Sequence, residues 1–362
     1  MTRILFLILC LGFVAACDSG GGDVLQAPTT GEGDGGDTGS EGDDGTPIDS
    51  DRSLPPGTES PTPSAAIFRR EPPDAEDGNG YARSYRYNAE DDTFFVEGLG
   101  FDGDQPDGQR YTRSTPIGDL GPYALYEAPP TFPDSVTGTP IQQFETRAIY
   151  GVSDSGETEF AIVRTGSYVN YGFGGFIYQR NGGVILPAEG QATYSGAYAG
   201  LRDFKGRGGL EYATGQAQVD IDFSGFRGNC TPPECDNAVR ARITDRRIFL
   251  PDGTDITRDY LDALGVSNDA TYQNMPVLTF LIGDGVADLN GELTGTVVSG
   301  SGDRGVPLTN NIPEGTYYAI MAGDHTNTPG GELVGIIVTE NDDPRQPNVT
   351  ERETGGFIAV RQ

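Results

Sequence analysis

The chain has 362 residues, among them 54 Gly and 25 Pro, and sets 24 Lys+Arg against 54 Asp+Glu for a formal net charge of −30. Lys205 is the only lysine and His325 the only histidine. A phosphate-binding P-loop needs its lysine in G-x-x-x-x-G-K-[ST], and Lys205 stands instead in Phe204-Lys205-Gly206-Arg207, so that class is excluded. Zinc sites built on several histidines are excluded too. A surface this acidic repels a phosphate backbone and argues against a nucleic-acid partner. No residue pattern calls for a cofactor.

Residues 1–16 read as an export signal. Arg3 precedes an apolar or small run from Ile4 to Val14, then Ala15-Ala16-Cys17-Asp18. The run is shorter than the roughly 20 residues a spanning helix needs, and it fits a signal-peptide core with small residues at the cleavage site. Val14-Ala15-Ala16-Cys17 resembles the bacterial lipobox, which predicts a diacylated Cys17 at the mature N-terminus. Several acyl chains on one residue give stable membrane anchoring where a single chain is marginal. Asp18 after that cysteine resembles an inner-membrane retention signal, which sets a periplasm-facing location beside an outer-membrane one.

Residues 17–66 read as a disordered acidic tether. Eleven acidic residues face Arg52 alone, with Gly, Ser, Thr and Pro filling most other positions. Such a segment has too few apolar side chains to offset the entropy of ordering. It reaches on the order of 40 Å as a flexible coil. With Arg3 counted, residues 1–66 carry a net −9, which leaves −21 for residues 67–362.

Residues 67–362 read as all-β. Short alternating runs at 81–87, 93–101, 123–127, 144–152, 159–169 and 175–179 suggest a β-rich domain over 67–187. A second domain over 188–362 takes runs at 192–200, 209–212, 218–224, 239–249, 277–282, 291–298, 315–321, 332–339 and 356–361. The cleanest is 218–224, where Val219, Ile221 and Phe223 point one way and Asp220, Asp222 and Ser224 the other. Only 257–264 reads as a helix, with Gly265 in the position that ends it. An outer-membrane barrel is disfavoured, because these runs are shorter than the roughly ten residues of a spanning strand.

The second domain carries a family likeness. Gly190-Gln191-Ala192-Thr193-Tyr194-Ser195-Gly196 resembles the opening strand of the β-barrel domain of transferrin-binding protein B, and Val219-Asp220-Ile221-Asp222-Phe223 resembles a later one. Gly291-Glu292-Leu293-Thr294-Gly295, Gly315-Thr316-Tyr317-Tyr318-Ala319, Gly331-Glu332-Leu333-Val334-Gly335 and Gly355-Gly356-Phe357-Ile358-Ala359-Val360-Arg361 follow that family's order to the C-terminus. The resemblance implies an eight-stranded antiparallel barrel over 188–362, preceded by a smaller β-rich handle over 67–187. Transferrin binders of the family have two lobes, and this chain has length for one. The resemblance also implies a non-enzymatic surface lipoprotein that binds a protein ligand, with an outer-membrane translocator as a further partner. A barrel of this size is filled by its own side chains, so function is expected on loops and outer faces.

Several residues invite chemistry. Cys230 and Cys235, close together in an exported chain, suggest a disulfide. Asp154-Ser155-Gly156 matches an aspartic-protease triplet, but its second copy is Asp18-Ser19-Gly20 in the tether, so a turn is the better reading. Two G-x-G-x-x-G matches, beginning at Gly98 and Gly300, open no helix and follow from the glycine content. The acidic stretch 102–108 lacks calcium-loop spacing. The aromatic stretch 168–178 offers Tyr168, Tyr171, Phe173 and Phe176 as partner-binding candidates, although buried sheet aromatics would give the same letters and are favoured. His325 is a further candidate on a loop. The leading expectation is a lipid-anchored binding protein of the cell envelope. A periplasm-facing structural or assembly lipoprotein is the alternative, and a carboxylate-based hydrolase a remote one.

Overall fold

The structure is a computed structural model and describes residues 24–25, 57–99, 109–115, 117–134, 136–142, 144–166, 170–226, 239–280, 287–299 and 308–362. Its strands in chain order are β1 (Val24–Leu25), β2 (Ile67–Arg70), β3 (Ser84–Asn88), β4 (Thr93–Glu97), β5 (Gln109–Arg113), β6 (Asp119–Leu120), β7 (Tyr123–Ala128), β8 (Thr131–Pro133), β9 (Pro140–Gln142), β10 (Thr146–Val152), β11 (Thr158–Thr165) and β12 (Gly174–Arg180). They continue with β13 (Val184–Ile185), β14 (Gln191–Lys205), β15 (Glu211–Asp222), β16 (Val239–Phe249), then helix α1 (Thr257–Asn268), β17 (Leu278–Phe280), β18 (Glu292–Val298), β19 (Glu314–Asp324), β20 (Glu332–Asp342) and β21 (Thr350–Arg361).

The strands from β14 to β21 form a closed eight-stranded antiparallel barrel. Each pairs with the next, β14 pairs with β21, and the β19–β20 pairing completes the ring. Closure removes every free edge of this sheet. The earlier strands form one curled sheet in the order β1-β3-β4-β5-β7-β10-β11-β12-β2, with β6 on β7; β8 and β9 make a separate hairpin. The all-β class expected from the sequence therefore holds.

Alternation explains the barrel. On β15, Ala213, Ala217, Val219 and Ile221 face the lumen, where they meet Tyr317, Phe280 and Phe357. The next strand, β16, keeps this pattern through Ala241 and Ile243. Asp245 then takes a left-handed φ of 51°, and the β15–β16 register shifts between Thr214 and Gln216. This bulge brings Arg246 and Ile248 to the buried side.

Barrel strands are longer than expected: β14 has 15 residues and β15 and β21 have 12 each. Glycines at 196, 200, 215, 355 and 356 look like breaks in the sequence but sit inside strands. They are there for close approach. A Cβ on Gly355 would fall 2.1 Å from the Tyr198 hydroxyl, and one on Gly335 would fall 2.4 Å from the Phe357 ring. Length therefore does not separate this barrel from a membrane-spanning one, and the outer surface does. Gln216, Arg240, Arg242 and Arg247 are exposed on β15 and β16. The outward face of β14, β20 and β21 is covered by the first sheet.

That cover is an apolar seam. Ile67, Leu125, Ile149, Phe160, Ile162, Phe176 and Tyr178 of the first sheet pack against Ala199, Leu201, Ile320, Val334, Ile336 and Ile358 of the barrel. Strand β11 is buried along its whole length, because Phe160 and Ile162 face the barrel while Ala161 and Val163 face the aromatic interior of the first sheet.

Helix α1 corrects the sequence reading at one end. It runs through Gly265 and stops at Asp269, whose φ of 49° and N–H bond to the Gly265 carbonyl end it. Gly265 is needed within the helix because a Cβ there would lie 2.6 Å from the Ala270 carbonyl oxygen.

Phe160 is fully buried at the centre of the seam, edge-on to Tyr123. Phe160→Ala is expected to lower unfolding free energy by about 3–5 kcal/mol, read by chemical denaturation.

Candidate functional site

The expected binding residues are distributed as follows. Tyr168 lies outside the described residues, as do Cys230 and Cys235. Tyr171 is 2% exposed, with the Arg352 guanidinium 4.2 Å above its ring. Phe176 is in the seam, 5.9 Å from Tyr318. Phe173 is half-buried and meets Tyr81 edge-on at 5.0 Å. Tyr171 and Phe176 are buried, and Phe173 packs half-buried against the aromatic interior of the first sheet. His325 lies in the turn that follows β19. It is fully buried, its Nδ1 is 2.5 Å from the Tyr194 hydroxyl, and Gly331 passes directly against its ring.

The densest polar assembly lies inside the barrel, at the end where Tyr260 of α1 inserts. Four carboxylates meet four arginines there. Glu353 accepts from Arg246 at 2.6 Å and from the Tyr198 hydroxyl at 2.7 Å, with Arg202 at 3.3 Å. Glu211 receives Arg202 at 2.6 Å, Arg207 at 2.7 Å and Arg345 at 2.9 Å. Asp343 pairs with Arg345 at 2.9 Å. Glu351 holds Arg202, the Tyr260 hydroxyl and, at 2.7 Å, the Asn341 amide. Burial pushes the Glu353 carboxyl up, but Arg246 and Arg202 outweigh it and hold the group below its usual range. Burial wins at Glu351, whose carboxyl is raised despite Arg202.

A second polar set ties the sheets together. Arg164 of β11 bonds Glu71 at 2.6 Å and Thr354 of β21 at 2.8 Å. Arg352 of β21 pairs with Asp203 of β14 at 2.5 Å and donates to the Asp77 carbonyl of the first sheet's 71–80 loop at 3.0 Å. Arg69 of β2 forms a bidentate pair with Glu292 of β18, at 2.6 and 2.8 Å.

None of this is arranged for hydrolysis. The converging carboxylates Glu351 and Glu353 are buried in the filled lumen and held by arginines. Asp154 sits in the β10–β11 turn, and the neighbouring Ser155 donates to Glu332 at 3.0 Å. The 102–108 stretch and the second glycine motif lie outside the described residues. Among the described residues no cluster of three or more His, Cys, Asp or Glu could hold a metal ion.

Sequence reading missed the β8–β9 hairpin. Strands β7 and β10 are direct antiparallel neighbours, with Ala128 opposite Thr146, so a short turn would join them. The chain instead makes β8 and β9 a separate hairpin, paired with neither sheet. Asp134 preforms the tip: its side chain accepts from the Val136 and Thr137 N–H groups at 3.0 and 2.6 Å, and Gly138 takes a φ of 70°. Val136 is 90% exposed and Ile141 43%. The signal available in the sequence was Asp134 with Gly138 between proline-flanked runs.

No protein-family model matches the chain. No curated protein matches it either. Among solved structures it is similar to a double mutant of transferrin-binding protein B from Haemophilus parasuis, at 12% identity and a TM-score of 0.33, covering 77% of this chain and 44% of that one. It is also similar to the isotype 1 transferrin-binding protein B of serogroup B Neisseria meningitidis, at 15% identity and a TM-score of 0.33, covering 86% of this chain and 45% of that one. The chain thus spans less than half the length of either structure.

Burial pulls the His325 imidazole down to about 4 from an ordinary 6.5, and the Arg361 charge adds to this against the Ala322 carbonyl. Between those values the unfolded chain takes up the proton and the folded chain does not, so stability falls as pH drops through this window. The contribution is about 3 kcal/mol. Denaturation at a series of pH values should show this loss, and His325→Gln should remove that component of the slope.

Proposed function

We propose that the protein is a lipid-anchored envelope lipoprotein, displayed at the surface of the outer membrane, that captures a protein ligand without catalysing a reaction. The observation that carries this reading is the β8–β9 hairpin. It is exposed, preformed and unneeded by the sheet it leaves, and a preordered tip loses little entropy on binding. The filled lumen moves any ligand contact to such outer elements. The lipobox at Cys17 and the acidic tether support anchoring with reach, and the order of the family-like strand motifs supports the same way of life. An outer-membrane translocator and a role in nutrient or iron-source capture belong to this proposal. Asp18 favours a second reading, a periplasm-facing structural or assembly lipoprotein.

Protease treatment of intact cells tests the proposal. The folded domain is expected to be released from intact cells, and Cys17→Ala to move the protein out of the membrane fraction. Protection in intact cells, with cleavage only after rupture of the outer membrane, would support the periplasmic reading instead.

A further inference from the structure

We propose that residues 57–66 form a releasable clasp, held by Arg69 and Arg180, that secures the joint between the first sheet and the barrel at the β2–β12 edge. The segment runs back along β2. Gly57 bridges Arg69, and the Thr58 N–H donates to the Phe68 carbonyl at 3.0 Å. It thereby covers the outer edge of β2, the last strand of the first sheet on that side. None of residues 57–66 is buried. The segment is therefore held by hydrogen bonds rather than by apolar side chains.

Two arginines make those bonds, and each also reaches the barrel. Arg180 of β12 is fully buried, and its N–H groups divide between the segment and the barrel. Its Nε donates to the Ala65 carbonyl at 3.0 Å, and one terminal nitrogen donates to the Thr62 and Pro63 carbonyls at 2.8 and 3.4 Å. The other terminal nitrogen donates to the carbonyl of Asn290, in the turn before β18, and to that of Met321 of β19 at 3.0 Å. Arg69 of β2 repeats the arrangement. It donates to the Thr58 carbonyl at 2.8 Å and forms its bidentate pair with Glu292 of β18. The Pro63 carbonyl also takes the Val184 N–H at 2.7 Å.

Among the described residues Arg180 donates to backbone carbonyls alone. Burial pulls its guanidinium down to about 10, and the charges of Glu292 and Asp288 offset this only in part. A buried charge so placed depends on each carbonyl, because an N–H left unmet costs its full desolvation. Lifting the segment takes away the Thr62, Pro63 and Ala65 carbonyls from Arg180 and the Thr58 carbonyl from Arg69. The cost falls on the same two side chains that hold β18 and β19, so clasp and joint loosen together. With an N-terminus anchored as proposed above, this segment is where a pull on the chain enters the fold; the clasp itself does not depend on that reading.

The test is hydrogen–deuterium exchange of the full-length protein in detergent. A Cβ on Gly183 would lie 2.9 Å from the Pro63 carbonyl oxygen and 3.0 Å from the Ser64 Cα. Gly183→Ala and, more strongly, Gly183→Val therefore push the segment away while leaving both arginines in the chain. Exchange is expected to rise at least about tenfold over residues 58–70 in Gly183→Val, and to rise with it at residues 290–293 and 319–323 across the joint, with β15 and β16 unchanged. Arg180→Met should give the same pattern, and Arg180→Lys, which keeps the charge with fewer donors, a smaller rise. Gly182→Ala should change nothing, because a Cβ there meets nothing within 4 Å. Should Arg180→Met fail to fold, the two Gly183 variants decide. A rise confined to residues 58–70 would make the segment a passive cover, and an even rise across both sheets would make it a general support. Either result, or no rise at all, would overturn the proposal.

Discussion

Strand β21 carries charge on both faces, and both faces are buried. Glu351 and Glu353 point into the lumen, where they hold Arg202 and Arg246. Between and beyond them, Arg352 and Thr354 point into the seam, where they meet Asp203 and Arg164. The alternation of a β-strand thereby connects two polar networks that never touch side by side. Burying a charge costs several kcal/mol unless its hydrogen bonds are met, so each network must be complete for the other's strand to sit where it does. Removing one partner from such a set is strongly destabilising, by about 3–5 kcal/mol in comparable cases.

The apolar parts of the fold follow from this frame. The lumen beyond the arginine network is closed by Phe280, Tyr317 and Phe357, and the Tyr317 and Phe357 rings lie over Gly295 and Gly335 on neighbouring strands. The outer wall is divided: the side behind β14, β20 and β21 is covered by the first sheet, and the β15–β16 side meets solvent with arginines. On the proposed reading, ligand contact falls to the projecting β8–β9 hairpin. The four arginines and four carboxylates of the lumen balance one another in formal charge.

Legibility in the sequence depended on which periodicity survived. Residues 218–224 show their two faces plainly because one side is lumen and the other solvent. Strand β11 shows no alternation, because apolar residues are required on both sides. Strands β14 and β21 read as fragments, because the glycines inside them resemble turn residues, among them Gly196, which closely meets the Ile358 carbonyl, and Gly355 and Gly356, which admit Tyr198 and Phe160. The charges of the lumen were illegible in principle: Arg202, Glu211, Glu351 and Glu353 look like surface residues until register brings them together across 150 positions of chain. Burial of His325 was hidden for the same reason, since its partner Tyr194 is distant in sequence.

The central claim is that the first sheet and the barrel are one cooperative unit joined through β21. Calorimetric unfolding tests it most directly. A single transition is predicted, with calorimetric and van't Hoff enthalpies equal, and Arg352→Leu should shift that transition as a whole to lower temperature. Two separable transitions, with Arg352→Leu moving only one of them, would contradict the account.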